Sequence, residues 1–395
     1  MQTTGIHRSG QLHQEPLQDR LTVESEAEKT WTCKFVCAID LIVISPHKCY
    51  NLSKYTHFCK SGPAMKSMLF IGSLLTLCFC KNQPVSQELT LAAAGFEVNS
   101  DILEEFTIPL DDVSGLALRP GATGDDLELL AISDKSFSLA VAPIASPLKR
   151  MDFELLNLTG SGLDFFREHS RSNWEAVASD STGNIFLLEE DPGAVYVLNR
   201  ALTQGLNRIR FRIPDHGSIR ELWQRDSNGR GEGLLLLRNG NILVVKEKDP
   251  TVLIEFGPRG ALPSGMSVGN AGSESVGLDG VFPLPAERDV DFFPLKVWSF
   301  AKFPPNGDLS EIALGPDSSL LLLSDELRSI YAVPDLSQFQ LDSLDVKEET
   351  ILPKALSKPE GLVVTPRWQV LIAVDDNPSK KKPKRQPNLF LLNRR

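Results

Sequence analysis

Short apolar runs of four or five residues, separated by turns rich in Gly, Asp, Asn and Ser, recur from about residue 112 to the C-terminus. They come in groups of three. The groups open with "DVSGLAL" from Asp112, "NWEAVAS" from Asn173, "GEGLLLL" from Gly231, "DLSEIAL" from Asp308 and "PEGLVV" from Pro359. Each opening holds a polar or acidic residue and then a small or apolar step. A second run ("LELLAIS", "NIFLLEE", "NILVVKE", "LLLLSDE", "VLIAVDD") follows and ends in acid, and a third closes the group. Runs this short, bounded by turn residues, read as strands rather than helices. The turns "STGN", "RNGN" and "GPDSS" carry residues that tolerate positive φ or bond their own backbone.

Successive groups start roughly 50–80 residues apart, the spacing of three- or four-strand modules in a β-propeller. One twisted antiparallel sheet cannot bury both faces alone. A ring of sheets packs each face on a neighbour and leaves only short edges. The expectation is an all-β, antiparallel β-propeller over residues 98–395, with five blades counted and six left open. The stretch 258–305 keeps that count open: its Gly/Ser-rich first half reads as a surface loop and its second half as a strand pair.

The region before residue 98 has a different character. All six cysteines (Cys33, Cys37, Cys49, Cys59, Cys78, Cys80) lie before residue 81. The repeat region therefore has no disulfide, thiolate nucleophile or Cys-based zinc site. Residues 65–80, "MKSMLFIGSLLTLCFC", join a basic start to an apolar run too short to span a bilayer, which fits the hydrophobic part of a signal peptide. The run ends in cysteine just before polar "KNQPVSQE", and so resembles a bacterial lipoprotein signal. Cys80 is the expected lipid-bearing residue, with Cys78 as the alternative. Phe79 and Leu77 stand where such signals usually place a small residue. Translation from Met1 or Met65 both fit; 1–64 reads as an upstream or poorly structured extension, and 81–97 as a linker. These features imply an exported protein of the bacterial envelope, anchored to a membrane by lipid.

The units "SGLAL", "WEAV…LLEED…VYVLN", "EGLLLL…VVKEKDP", "DLSEIAL…LLLSDE" and "PEGLVV" resemble the SdiA-regulated family of exported bacterial proteins, over roughly residues 98–395. They are more loosely similar to the phytase-like domain described as esterase-like. The resemblance implies a calcium-binding propeller without a well-defined reaction. The chain departs from it in the 258–305 insertion and in the basic loop "NPSKKKPKRQPN".

Aligned on their openings, the units place Glu175, Glu232, Glu311 and Glu360 at one position before the first strand, with Ser114 as the odd member. Such residues should ring one end of the central channel. Four carboxylates facing one channel repel unless protonated, paired or bridged by a cation. Calcium, which takes six to eight oxygens in irregular geometry, is the ion the set points to. The alternative is that each Glu latches its neighbour by accepting backbone N–H groups. A second acidic set, Asp134, Glu189, Glu247, Asp325 and Asp375, follows the second strand, at the same end or the opposite one.

Net charge refines the list of partners. At −10, with the acidic excess lying after residue 80, the chain is no general polyanion binder. The run Lys380–Arg385 reads as a solvated loop, so no nucleic acid is expected. The pattern G-x-S-x-G occurs once, at 265–269 inside the Gly/Ser-rich stretch and not between a strand and a helix as a nucleophile elbow requires, and only His169 and His216 follow the signal-like segment. The reading is a binding or scaffold module for a small molecule or an envelope protein. The alternative is a calcium-dependent hydrolase of phosphate or carboxylic esters.

Overall fold

The computed structural model describes residues 98–394 apart from 124–125, 160–162, 167–168, 170, 192, 226–228, 267–274 and 376–385, together with 44–45 and 48–49. The early pair forms a two-strand antiparallel ladder, β1 (Ile44–Ser45) with β2 (Lys48–Cys49). The lipoprotein-type segment with Cys78 and Cys80, the 81–97 linker and the basic run 380–385 lie outside the described residues. Among the described residues, no helix is long and apolar enough to cross a membrane.

The repeat region forms the β-propeller that its pattern predicts. The first four-stranded sheet is β4 (Val113–Pro120), β5 (Leu127–Ser133), β6 (Ser138–Ile144) and β7 (Glu154–Asn157). The second is β8 (Trp174–Ser179), β9 (Ile185–Glu189), β10 (Ala194–Leu198) and β11 (Gly205–Phe211). The third is β12 (Gly233–Leu236), β13 (Ile242–Lys246), β14 (Val252–Pro258) and β15 (Asp289–Ala301). The fourth is β16 (Glu311–Leu314), β17 (Leu320–Ser324), β18 (Ser329–Val333) and β20 (Lys347–Ile351), with β19 (Ser343–Asp345) beside β15. The fifth is β21 (Pro359–Val364), β22 (Val370–Val374), β23 (Leu389–Arg394) and, as its outer strand, β3 (Val98–Phe106). The two ends of the propeller thus share a sheet and close the ring, which leaves no long open edge.

Each first strand contacts the first strands of two neighbours, in the closed order β4, β8, β12, β16, β21 and back to β4. The second strands β9, β13, β17 and β22 are buried at every position. Alternation explains why. On β9, Phe186 and Leu188 pack toward the third sheet, whereas Ile185 and Leu187 pack toward the first. Five apolar clusters result, one at each junction between sheets. A strand buried on both faces reads as a continuous apolar run, and these do.

Two expectations for 258–305 change. Its second half is one long strand, β15, not a strand pair; β15 is antiparallel to β14 and parallel to β11, so it ties the third sheet to the second. Its first half is not only a surface loop, since Met266, Val276 and Phe282 are buried. The Phe282 N–H donates to Asp180 Oδ2 at 3.3 Å, and the Ser181 N–H donates to the Gly280 carbonyl at 2.8 Å.

Hydroxyls bridge neighbouring sheets at the start of the first strands. Ser114 Oγ donates to the Trp174 carbonyl at 2.5 Å, and Ser310 Oγ donates to the Pro359 carbonyl at 2.7 Å. Both are buried. Ser310→Ala leaves that carbonyl short of a donor and is expected to cost about 1 kcal/mol. Denaturant melts of the variant check this, with the slope of the transition unchanged.

Candidate functional site

Backbone irregularity displays the residues before the first strands, and the strand pairing corrects the alignment at the fourth sheet. Glu311 pairs with Leu323 as Gly233 pairs with Val245, so Ser310 holds the position of Ser114 and the other glutamates, and Glu311 that of the glycines. Pairing of β4 with β5 skips Ser114, β8 with β9 skips Glu175, and β21 with β22 skips Glu360. An extra residue in one strand is left out of the ladder, and its side chain is re-aimed. The next position then sets how closely the first strands approach. Gly115 sits against Ala176 and Glu175, Gly233 against Ile312 and Glu311, and Gly361 against Leu116. The acid-glycine step therefore has two jobs in different residues. The acid supplies the side chain at the end of the channel, and the glycine lets the neighbouring strand close in.

Glu175, Glu232 and Glu360 keep part of their surface exposed although protein surrounds them, and Glu311 is shut off at 1% exposure. All four carboxyls are pushed well above the usual carboxylate range. Burial is the main cause for each. The charges of Glu190, Asp134 and Glu247 add to it at Glu175; those of Glu175, Glu247 and Glu360 add to it at Glu232. Asp325, Asp375 and Glu175 add to it at Glu360. The four thus share one electrostatic neighbourhood.

Glu311 is the special member. Its Oε1 accepts the Ile312 N–H at 3.0 Å. Its Oε2 is buried and makes no hydrogen bond of normal geometry, although the Leu116 amide lies near enough to favour the ionised form. Glu311 thus faces the amide of its own strand and one from the first sheet, as the latch alternative requires, and the serines and glycine contacts add further links between sheets.

The second acidic set lies at the same end of the channel as the first. Antiparallel pairing requires this: Val113 faces Ser133, Gly233 faces Val245, and Pro359 faces Val374. Asp134, Glu247, Asp325 and Asp375 follow those strand ends directly. Burial raises Asp134 against the pull of Lys135. Burial also lifts Glu247 and Asp325 to about 6 each, with Lys248 opposing at Glu247 and Asp308 assisting at Asp325. Lys248 meets Glu247 at 2.8 Å, and Lys358 meets Asp375 at 2.9 Å. Asp112, in contact with Lys135, joins the mouth from the first sheet; burial and its hydrogen bond with Asp375 push it up. That bond and Lys358 hold Asp375 down despite its burial.

Glu189 does not belong to this set. It is the last residue of β9, opposite Trp174, and its carboxylate turns into the sheet junction. There it accepts the Tyr196 hydroxyl at 2.9 Å and meets His169 Nδ1 at 3.2 Å. Burial raises its carboxyl while both partners lower it. The position equivalent to Asp134 is held by Glu190, which accepts the Arg230 N–H at 3.0 Å and the Asn173 amide at 3.1 Å. Adjacent acids in "LLEED" point to opposite faces, and strand register chooses between them. Asp308, outside both acidic sets, joins them here. It accepts the Ser324 hydroxyl at 2.8 Å and the Glu326 N–H at 3.0 Å beside the same mouth. His169 packs edge-on against Phe137, Phe166 and Tyr196, and His216 is exposed in the loop before α1 (Ser218–Gln224).

The carboxylate oxygens are the donor type of a hard cation. Their spacing is looser: among the described residues, no three Asp, Glu, His or Cys side chains form one metal-coordinating group. The acids surround the mouth rather than cage an ion.

No protein-family model matches the sequence, and a comparison with curated proteins finds no relative. Comparison with solved structures finds distant likenesses. Virginiamycin B lyase from Staphylococcus aureus is 11% identical at TM-score 0.33, over 69% of this chain and 67% of that one. The PQQ-bound aldose sugar dehydrogenase from Streptomyces coelicolor is 11% identical at TM-score 0.39, over 75% and 98%. The allergen Mala s 1 of Malassezia sympodialis is 12% identical at TM-score 0.38, over 71% and 77%. Likenesses this slight carry no argument about activity.

Proposed function

We propose that the chain is a binding module whose acidic mouth takes a cation, with calcium the ion its oxygen donors suit, and that the lipoprotein-type segment presents it at the bacterial envelope. The family reading offered by the repeat, the SdiA-regulated proteins, agrees with this. One observation carries the proposal. Two acidic sets converge on one end of the channel, where burial and mutual repulsion hold the first set's carboxyls toward their protonated form. A bound cation relieves both costs at once, because it favours the ionised carboxylates that water no longer reaches. The ion would sit in the joint field of Glu232, Glu360 and Glu247 at the mouth rather than be caged by them, with Glu311 below. The loose spacing implies a weak site, governed by charge count more than by fit.

The test is titration of the full-length, metal-free protein with calcium by calorimetry near neutral pH. About one ion per chain is expected, with affinity reduced tenfold or more by Glu232→Gln, while the same substitution at Glu189 changes nothing. Heat indistinguishable from dilution for the wild-type protein would remove the cation reading. Binding equally affected by Glu189→Gln would place the ion elsewhere.

A further inference from the structure

Behind the acidic mouth the channel changes character. A cavity of about 630 Å³ runs between the first strands, starting one or two residues beyond the glutamates and lined by apolar side chains that include Leu116, Leu118, Val177, Leu234, Leu314 and Leu362. Its size is that of a small-molecule pocket, and so is its make-up of apolar walls with a few polar groups. Leu116 and Ile312 line it, and these are the residues whose backbone N–H groups face the Glu311 carboxylate. Glu311 therefore stands where the apolar channel meets the acidic mouth, with Oε2 buried and unpartnered. At the far end the cavity is bordered by Arg238, which is paired with Asp279 at 2.6 Å.

From this juxtaposition we propose that the channel binds one elongated apolar molecule ending in an ammonium group. Its hydrocarbon lies between the first strands and its cationic end lies against Glu311. The inference rests on the cation-taking mouth and names a ligand class for it. An ammonium group suits this position better than a metal ion does. It needs a single well-placed carboxylate and a few acceptors, and a charge-assisted hydrogen bond to Glu311 Oε2 supplies the first. The hydrocarbon gains about 25 cal/mol for each Å² withdrawn from water, so chain length sets affinity and the ammonium sets direction. A fatty carboxylate would bring a further negative charge to a mouth already crowded with carboxyls, and the guanidinium at the other end is already engaged by Asp279.

The experiment compares n-octylamine, ethylamine, n-octanol and octanoate as ligands of the full-length protein near neutral pH, by calorimetry and by the shift in melting temperature. Octylamine is expected to bind at least tenfold more tightly than octanol and to raise the melting temperature by several degrees. Ethylamine and octanoate are expected to give no measurable shift. Glu311→Gln should weaken octylamine tenfold or more and leave octanol unchanged. Leu118→Trp, which fills the channel, should abolish octylamine binding without altering the calcium titration; Leu314→Trp repeats the test from another sheet if the first variant is unstable. Octanoate binding as tightly as octylamine, or octylamine binding that survives both tryptophans, overturns the proposal. Absence of an octylamine signal from the wild-type protein, with its calcium binding intact, would sink the amphiphile alone. Loss of both would sink the cation-taking mouth beneath it.

Discussion

Gly233→Val should be among the most damaging single changes in the propeller. A β-carbon at this position meets the Ile312 backbone nitrogen at 2.8 Å and the Glu311 carbonyl carbon at 3.3 Å. Backbone cannot rotate aside as a side chain does, so β12 and β16 must move apart. Overpacking a tight interior costs about 1–3 kcal/mol for a small addition, and a branched side chain adds to that. Gly233→Ala should therefore lower the melting temperature by several degrees, and Gly233→Val by more or prevent folding. Gly115→Ala provides the comparison: its β-carbon meets the Ala176 Cα and the Glu175 carbonyl oxygen at 3.3 Å, and the loss should be smaller. Thermal melts of the three variants decide it. Equal stability of Gly233→Ala and the wild type would mean that the first strands are not packed as tightly as described.

The second large effect is a dependence of stability on pH that runs against common expectation. Carboxylates held in ion pairs have lowered values and make proteins less stable as acid is added. Here the mouth carboxyls other than Asp375 are raised in the folded state, so between the usual carboxylate range and their raised values the folded chain binds more protons than the unfolded one. The stabilising protons are present at low pH and are lost as pH rises. For Glu247 and Asp325 that loss runs from the usual carboxylate range up to about pH 6, and the four ring glutamates extend it upward. Glu247 alone is worth on the order of 2 kcal/mol on this reasoning, and the more open Asp325 less after screening by water. Metal-free protein should accordingly melt several degrees lower at pH 7.5 than at about pH 5. Glu311→Gln, which removes one titrating group and keeps its shape, should flatten part of the slope.

Much of this was legible in the chain because a repeat states each rule several times. The first three strands of every sheet carry an apolar run between turn residues, and the run is apolar because both of its faces are buried. The outer strands do not share that signal. β7 reads "ELLN" and β20 reads "KEETI", both mostly exposed, so nothing in their composition marks them as strands. β3 was equally hidden, since its partner β23 lies almost the whole chain away. The shared position of Glu175, Glu232 and Glu360 followed from alignment alone, whereas Glu311 stands one residue further on, at the glycine position, which only the pairing of β16 with β17 reveals. Which of Glu189 and Glu190 faces the mouth did not, because neighbouring strand residues face opposite ways and only the pairing of β9 with β8 fixes the choice. The apolar channel was also illegible: residues that line a cavity and residues that fill a core have the same side chains.

The most direct test of the acidic mouth is the melting temperature of the full-length protein at about pH 5 and pH 7.5, each with chelator and with calcium. The account predicts that in chelator the protein is less stable at the higher pH, and that calcium restores the loss there while doing little at the lower pH, where protons already occupy the carboxyls. A melting temperature indifferent to both pH and calcium would contradict it. The two acidic sets would then be ordinary surface carboxylates, held apart well enough to need neither protons nor a cation.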